Sequence, residues 1–415
     1  MNAQRAHILY FVTEDWFFCS HFIERAIAAR QAGYQVSVLT RVRDHGERIR
    51  AEGLTLIPLE IHRKGLNPFR ELSTILEVAR IYRRQRPDLV HHFALKPIIY
   101  GTLASWLARI RHCVNAPVGM GFIFSSSSRL ARLIRPIMQL SLRALLNPPG
   151  SRVVFENADD LAESIKGGLV RPKAAVLIRG AGVDILSFRP CPEPEGAPKV
   201  VLVARMLWEK GIGEFVEAAR RLRARDIEAH LLLVGAPDPE NPAAIPVAQL
   251  QVWAEENVVE WWGQRSDVAE ILANSHIVCL PSYYREGLPK ALLEALAAGR
   301  PVVATDAPGC REAVRHGDNG LLVPERDPEA LTQALATLIN DPALRRRMGA
   351  SGRRRAETEF ASPLVCEATL ALYRELLTDE KHATLSTSTG PDRPPSVAAA
   401  DPLVAPDPAR SNRQS

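Results

Sequence analysis

Short apolar runs alternate with stretches of helical periodicity along most of the chain. His7–Thr13, Gln35–Thr40, Leu54–Leu59, Asp88–Phe93, Cys113–Val118, Arg152–Glu156 and Ala174–Ile178 predict strands in the first half. His21–Ala32, Pro68–Arg84 and Ile98–Arg109 predict helices between them. Strands this continuously apolar have no solvent face, so they belong to a parallel sheet covered by helices on both sides. That is the doubly wound α/β plan.

The alternation breaks at Phe188-Arg189-Pro190-Cys191-Pro192-Glu193-Pro194-Glu195-Gly196-Ala197-Pro198. Proline fixes φ and offers no N–H to a ladder, so this segment reads as a linker. A second alternation follows, with strands expected at Lys199–Ala204, Ala229–Gly235, Val258–Trp261, His276–Leu280, Pro301–Thr305 and Gly320–Val323. Its helices include Gly211–Arg225, Pro289–Ala298 and Pro328–Asn340. The expected organisation is a Rossmann-like domain over 1–190, a second over 191–362, a helix over 363–381 crossing back to the first domain, and a tail over 382–415. From His382 onward the chain turns to Ser, Thr, Pro, Ala and Asp. That composition cannot build a core, so the tail is expected to be disordered. Two such sheets facing across a cleft suit an enzyme with two substrates, because ligands bind beyond the carboxyl ends of the strands.

Hydrophobic residues at 46% and charged residues at 24% describe an ordinary globular chain. No apolar run reaches the roughly eighteen residues of a spanning helix. The run His7-Ile8-Leu9-Tyr10-Phe11-Val12 is short and has no cleavage site, so it reads as a strand and not as a signal peptide. The six cysteines are scattered, with no CxxC pair, which fits a reducing compartment and a cytoplasmic location. Charge is divided unevenly: 27 Lys and Arg face 15 Asp and Glu up to position 190, and 25 face 32 beyond it. A basic first half suggests anionic partners. Arg345-Arg346-Arg347 and Arg353-Arg354-Arg355 lie in the acidic half without interleaved aromatics, so nucleic acid is not expected as a partner.

The sharpest chemical signal runs from Tyr283 to Gly299. It follows an apolar strand and begins a helix, with Pro289 in the first turn and Gly299 at the end. Glu286 sits on the loop before the helix. The N-terminus around Gly287, Leu288 and Pro289 offers free N–H groups and a positive dipole end, a seat for a diphosphate. Glu294 interrupts an otherwise apolar helix, and a carboxylate there must be paired or hydrogen-bonded. Ribose hydroxyls would satisfy it, and so would an Arg or Lys of the same domain. Arg205 ends a strand and Lys210 precedes a helix, so both point to the ligand side of the sheet. The Arg fork and the Lys point charge could hold a leaving diphosphate.

Glu286 and Glu294 match the E-x7-E signature of family 4 retaining glycosyltransferases, and Arg205 and Lys210 match that family's Arg/Lys pair. The resemblance runs from about Ile8 to Leu377, through Arg179-Gly180-Ala181-Gly182-Val183-Asp184 and Thr305-Asp306-Ala307-Pro308-Gly309-Cys310-Arg311-Glu312. It implies the GT-B fold, two Rossmann-like domains facing across a cleft. It implies that Glu294 holds the ribose, Glu286 contacts the donor sugar hydroxyls, and Arg205 and Lys210 stabilise the leaving diphosphate, with no metal or other cofactor. Gly65-Leu66-Asn67-Pro68-Phe69, Gln264-Arg265-Ser266-Asp267 and the loop Ser282–Gly287 resemble bacterial N-acetylgalactosaminyltransferases of lipid-linked glycan synthesis and their capsule and O-antigen relatives. This implies a UDP-N-acetylhexosamine donor, an undecaprenyl-diphosphate-linked acceptor, and a place on the inner face of the cytoplasmic membrane.

Two departures from the family pattern bear on the acceptor side. A glycine-rich first loop is replaced by the aromatic segment Thr13–His21, and Val118–Phe122 lacks the family's histidine. His21, His91 and His92 are the candidates for an acceptor or catalytic role, against core or surface places for His91 and His92. No DxD-like metal cluster stands where one would be needed, and Asp159-Asp160 reads as a helix cap. Arg129, Arg132, Arg135 and Arg143 share one face of an amphipathic segment, either a membrane contact or a solvated face over a core helix. A sugar-nucleotide epimerase of the same fold and a non-catalytic nucleotide-sugar-binding protein stay open as alternatives. No GxGxxG follows the first strand, which argues against a dinucleotide dehydrogenase.

Overall fold

The computed structural model describes residues 5–61, 67–118 and 140–387, with the backbone alone over 379–387. The first parallel sheet has the order β3-β2-β1-β4-β5-β6-β7. Its strands are β1 His7–Glu14, β2 Gln35–Arg41, β3 Thr55–Pro58, β4 Leu89–Phe93, β5 His112–Ala116, β6 Ser151–Phe155 and β7 Ala175–Leu177. The second has the order β10-β9-β8-β11-β12-β13. Its strands are β8 Lys199–Val203, β9 His230–Val234, β10 Glu260–Trp261, β11 Ile277–Leu280, β12 Val302–Thr305 and β13 Gly320–Val323. Each is a Rossmann-like sheet with helices on both faces.

Strand periodicity explains the two-sided core. Ile8, Tyr10 and Val12 of β1 enter one cluster, while Leu9 and Phe11 enter another on the opposite face. Val200 and Leu202 of β8 likewise part from Val201. Successive side chains of a strand point to opposite faces, so a strand buried on both sides has to be apolar throughout.

The first domain carries α1 Asp15–His21, α2 Ile23–Gln31, α3 Gly46–Ala51, α4 Pro68–Gln85, α5 Leu95–Ala108, a helix over 140–146, and α6 Ala158–Lys166. The second carries α7 Ile212–Ala224, α8 Val247–Glu255, α9 Val268–Ala273, α10 Lys290–Ala297, α11 Pro308–Ala313, α12 Pro328–Asn340 and α13 Pro342–Arg355. Several starts follow sequence rules. Asn67 accepts from Phe69 N at 3.1 Å, Asp327 from Ala330 N at 2.9 Å, and Asp341 from Leu344 N at 2.8 Å, each before a proline in the first turn.

Some elements differ from the sequence expectation. Thr13–His21 is not a loop: Thr13 and Glu14 end β1 and α1 takes the rest, ordered by Asp15, whose Oδ2 accepts from Arg43 N and His45 N. The helix expected over His21–Ala32 begins at Ile23, after a break at Phe22. Pro289 precedes α10 as its N-cap and does not lie in its first turn. Asn157, and not the Asp159-Asp160 pair, caps α6, through Asp160 N at 2.7 Å.

The chain passes between the two sheets at two places that lie side by side. Val183 N donates to Phe360 O and Ser362 N to Val183 O, both at 2.9 Å. Gly182 allows this approach, because a Cβ there would stand 2.9 Å from Ser362 Cα. After the second passage, α14 Ser362–Thr387 packs Val365, Leu372, Tyr373 and Leu376 into the first domain's core. It continues past His382 to Thr387, and the rest of the expected tail lies outside the described residues.

Tyr373 ties α14 to the sheet. His91 Nδ1 lies 2.6 Å from its hydroxyl, which donates to Tyr10 Oη at 2.9 Å. All three side chains are fully buried. Tyr373→Phe leaves two buried polar groups without that partner, so it should lower unfolding stability by about 1–3 kcal/mol. Urea unfolding measures this, and an unchanged midpoint would show that the network adds nothing to the docking of α14.

Candidate active site

β8 and β11 are neighbours at the centre of the second sheet, so the loops after them leave side by side. One carbonyl joins these loops. Glu209 O accepts from Tyr283 N and Tyr284 N at 3.1 Å and from Ser282 Oγ at 3.2 Å. Gly211 makes this possible: its φ is +75°, and a Cβ there would overlap Pro281 O. The result is an ion pair of 2.6 Å between Lys210 Nζ and Glu286 Oε2, both largely buried. Glu286 Oε1 is buried and has no hydrogen-bond partner.

Arg205 leaves the end of β8 and donates to Asp238 Oδ2 at 2.8 Å. Its guanidinium lies 6.0 Å from the centre of the Trp16 ring on α1, so both domains meet at this side chain. A cavity of about 630 Å³ opens here, bounded by Arg205, Gly235, Asp238 and Arg265 on one side and Trp16 and Arg43 on the other. Glu294 makes an ion pair of 3.4 Å with Lys290, the same-domain pairing that was one of its two sequence readings. Burial holds the Glu294 carboxyl above its ordinary range, and Lys290 partly offsets this. Lys290 also donates to Ser20 O of the first domain at 2.9 Å.

The seat expected at Gly287, Leu288 and Pro289 is engaged from the first domain. Gly287 O accepts from Asn157 Nδ2 at 2.7 Å, and Leu288 N donates to Glu156 Oε2 at 3.2 Å. The Leu288 side chain is buried against Gly180, where a Cβ would come within 2.8 Å of it. Of the N–H groups expected to face a diphosphate, that of Leu288 is therefore already paired, and Pro289 has no N–H to offer.

His91 and His92 do not reach the cleft. Both are fully buried: His91 joins Tyr373 on one face of the sheet, and His92 joins Tyr82 Oη at 3.0 Å and Asn115 Oδ1 at 2.8 Å on the other. Burial holds both below the usual imidazole range. They are core histidines. His21 lies at a cavity of about 260 Å³ together with Ser20, Gly182, Asp184 and Lys290, its ring 4.6 Å from that of Phe17. Burial, then the charge of Lys290, lowers its pKa to about 3, so it is a neutral imidazole. Arg129, Arg132 and Arg135 lie outside the described residues, and Arg143 is exposed on the helix over 140–146.

Sequence reasoning missed Glu156, which ends the β6 run, and Asn157. The Glu156 carboxyl is pushed up to about 7, chiefly by burial. Arg25 and the Leu288 N–H pull it down, and Asp160 and Glu286 push it further up. A carboxylate and an amide at the start of a helix look like capping residues, and only the fold shows that they face Gly287.

Two doubly wound domains closing on a shared cleft, with cations and a carboxylate pair on the second, form the architecture of the GT-B glycosyltransferases. The family Glycosyl transferase 4-like matches residues 7–147, and Glycosyl transferases group 1 matches residues 197–341. The chain is a glycosyltransferase of the family 4 type. It is similar to the N,N'-diacetylbacillosaminyl-diphospho-undecaprenol alpha-1,3-N-acetylgalactosaminyltransferase of Campylobacter jejuni, 28% identical over 83% of this chain and 92% of that protein. Its fold is that of sucrose-phosphate synthase from Thermosynechococcus elongatus, with a TM-score of 0.72 and 21% identity over 90% of this chain and 100% of that one. It is also that of Anabaena HepE in complex with UDP-glucose, with a TM-score of 0.69 and 19% identity over 92% and 99%.

The raised Glu156 carboxyl makes stability depend on pH. Folding favours its protonated form, a contribution that is full below the ordinary value of 4.5 and lost as pH rises to about 7. At pH 8 the buried carboxylate costs about 3 kcal/mol relative to the unfolded chain. Glu156→Gln mimics the neutral form, so it should unfold at higher urea than wild type at pH 8 and close to wild type at pH 4.5. A difference independent of pH would contradict the assignment.

Proposed function

We propose that the protein is a retaining, metal-independent hexosyltransferase that moves a sugar, an N-acetylhexosamine, from a UDP-sugar to an undecaprenyl-diphosphate-linked acceptor. The observation that carries this reading is the Lys210–Glu286 pair, held in the cleft by the two zipped loops. A carboxylate with one buried, unpartnered oxygen suits the hydroxyls of a donor sugar. Lys210 and Arg205 suit the charge that grows on a departing diphosphate, so they supply what a divalent ion would otherwise supply. Glu294 can exchange its contact with Lys290 for ribose hydroxyls.

The named substrates of the Campylobacter relative support a lipid-linked acceptor and an N-acetylhexosamine. Its product is alpha-linked, and an alpha product from an α-linked UDP-sugar is retention. Contact with the inner face of the cytoplasmic membrane draws support from α4. Phe69, Leu72 and Leu76 are exposed along one stripe, 86%, 53% and 40% accessible, beside Arg70, Arg80, Arg83 and Arg84. An apolar stripe among arginines suits an anionic bilayer surface. No helix among the described residues is long and apolar enough to cross a membrane.

Transfer is tested by UDP release from a panel of UDP-sugars in excess chelator, with and without undecaprenyl-diphosphate-linked glycan. Release with one sugar, only when acceptor is present, is the expected result. Release without acceptor, or from no UDP-sugar, would overturn the reading, and interconversion of the sugar without UDP would make the protein an epimerase. Lys210→Ala and Glu294→Ala should each cut turnover by about 100-fold or more while the protein stays folded. Rates at wild-type level in both would remove these residues from the site. For the membrane contact, the combined change Phe69→Ser, Leu72→Ser and Leu76→Ser should lower cosedimentation with phosphatidylglycerol vesicles at least fivefold. Equal recovery would exclude α4.

A further inference from the structure

Glu286 stands on a loop that the second domain does not hold alone. On its N-terminal side, Arg285 forms ion pairs with Asp160 at 2.6 Å and with Glu163, both on α6. On its C-terminal side, Asn157 Nδ2 donates to Gly287 O, and Glu156 Oε2 accepts from Leu288 N. All four partners lie at the end of β6 and along α6, in the first domain. The grip is close. A Cβ on Gly287 would overlap Glu156 Oε2, and one on Gly309 behind the loop would stand 2.7 Å from Glu286 O and 2.6 Å from Gly287 O. The backbone around Glu286 is thus wedged between a carboxylate of one domain and a glycine of the other.

Asn157 does two things at once. Its Oδ1 caps α6 through Asp160 N, and its Nδ2 reaches Gly287 O while also contacting Asp160 Oδ2 at 2.9 Å. Glu156 and Asn157 are both buried, so their bonds across the domains are shielded from water. The larger cavity is bounded differently, by Arg205, Gly235, Asp238 and Arg265 among others, and no described residue of the β6–α6 turn lines it.

We infer that Glu156 and Asn157 are positioning residues for sugar transfer: through them the first domain sets where Glu286 stands against Lys210. Glu286 then has its transfer geometry only while the two domains are docked at α6. Binding of the nucleotide does not depend on this contact. The inference rests on the transferase reading above.

The test uses the full chain, UDP as the binding probe, and the sugar and acceptor that wild type turns over. Glu156→Ala removes the acceptor for Leu288 N, and Glu156→Gln restores a carbonyl oxygen there. Asn157→Ser keeps a helix cap but is too short to reach Gly287 O. Asn157→Ser and Glu156→Ala should lower kcat at least tenfold, leave UDP affinity within twofold, and leave donor KM little changed. Glu156→Gln should recover to within threefold of wild type. Should Glu156→Ala not fold, Asn157→Ser carries the comparison alone. The inference is overturned if folded variants keep kcat within twofold, if UDP affinity falls in step with kcat, or if Glu156→Gln is as impaired as Glu156→Ala. A wild type without transfer activity would instead overturn the transferase reading.

Discussion

The second half of the molecule depends on one close approach, that of Gly211 to Pro281 O. Two central strands bring their loops out together, but only a residue without a Cβ lets the backbones touch there. From that contact follow the three hydrogen bonds on Glu209 O, and from those the 2.6 Å ion pair of Lys210 and Glu286. A backbone constraint thereby sets the spacing of two charges from different segments. Long Lys and Glu side chains would otherwise lose much rotamer freedom in forming such a pair.

The charges around the cleft are arranged so that few are left alone at low dielectric. Arg205 has Asp238, Lys290 has Glu294, and Arg285 has Asp160. Breaking one member of such a pair is costly, because its partner stays buried and uncompensated.

Much of the fold was legible in the sequence, because a doubly wound sheet writes itself as apolar runs of strand length. Glu286, Glu294, Arg205 and Lys210 were singled out because Arg205 follows a strand, Lys210 precedes a helix, Glu294 breaks an apolar helix and Glu286 completes the E-x7-E spacing. What escaped depended on partners distant in the chain. For His91 a core place was one of the readings, but its partner Tyr373, 282 positions away, is not visible locally. Glu156 meets Leu288 across 132 positions, and its neighbour Asn157 looks like an ordinary cap. The Thr13–His21 segment was misread as a loop because its helix is ordered by Asp15 binding two backbone groups on the far side of β2.

The paired bonds of Val183 with Phe360 and Ser362 also bear on how the chain is assembled. The polypeptide leaves the first domain and returns to it at one spot. Everything between is a continuous block whose two ends meet, while α14 completes the first domain's core from the far side. Such a block is a cassette. It can be replaced by another with the same end spacing without rerouting the host chain. The two domains can therefore be recombined separately, provided that the new cassette presents a glycine and its carbonyl to the β6–α6 turn.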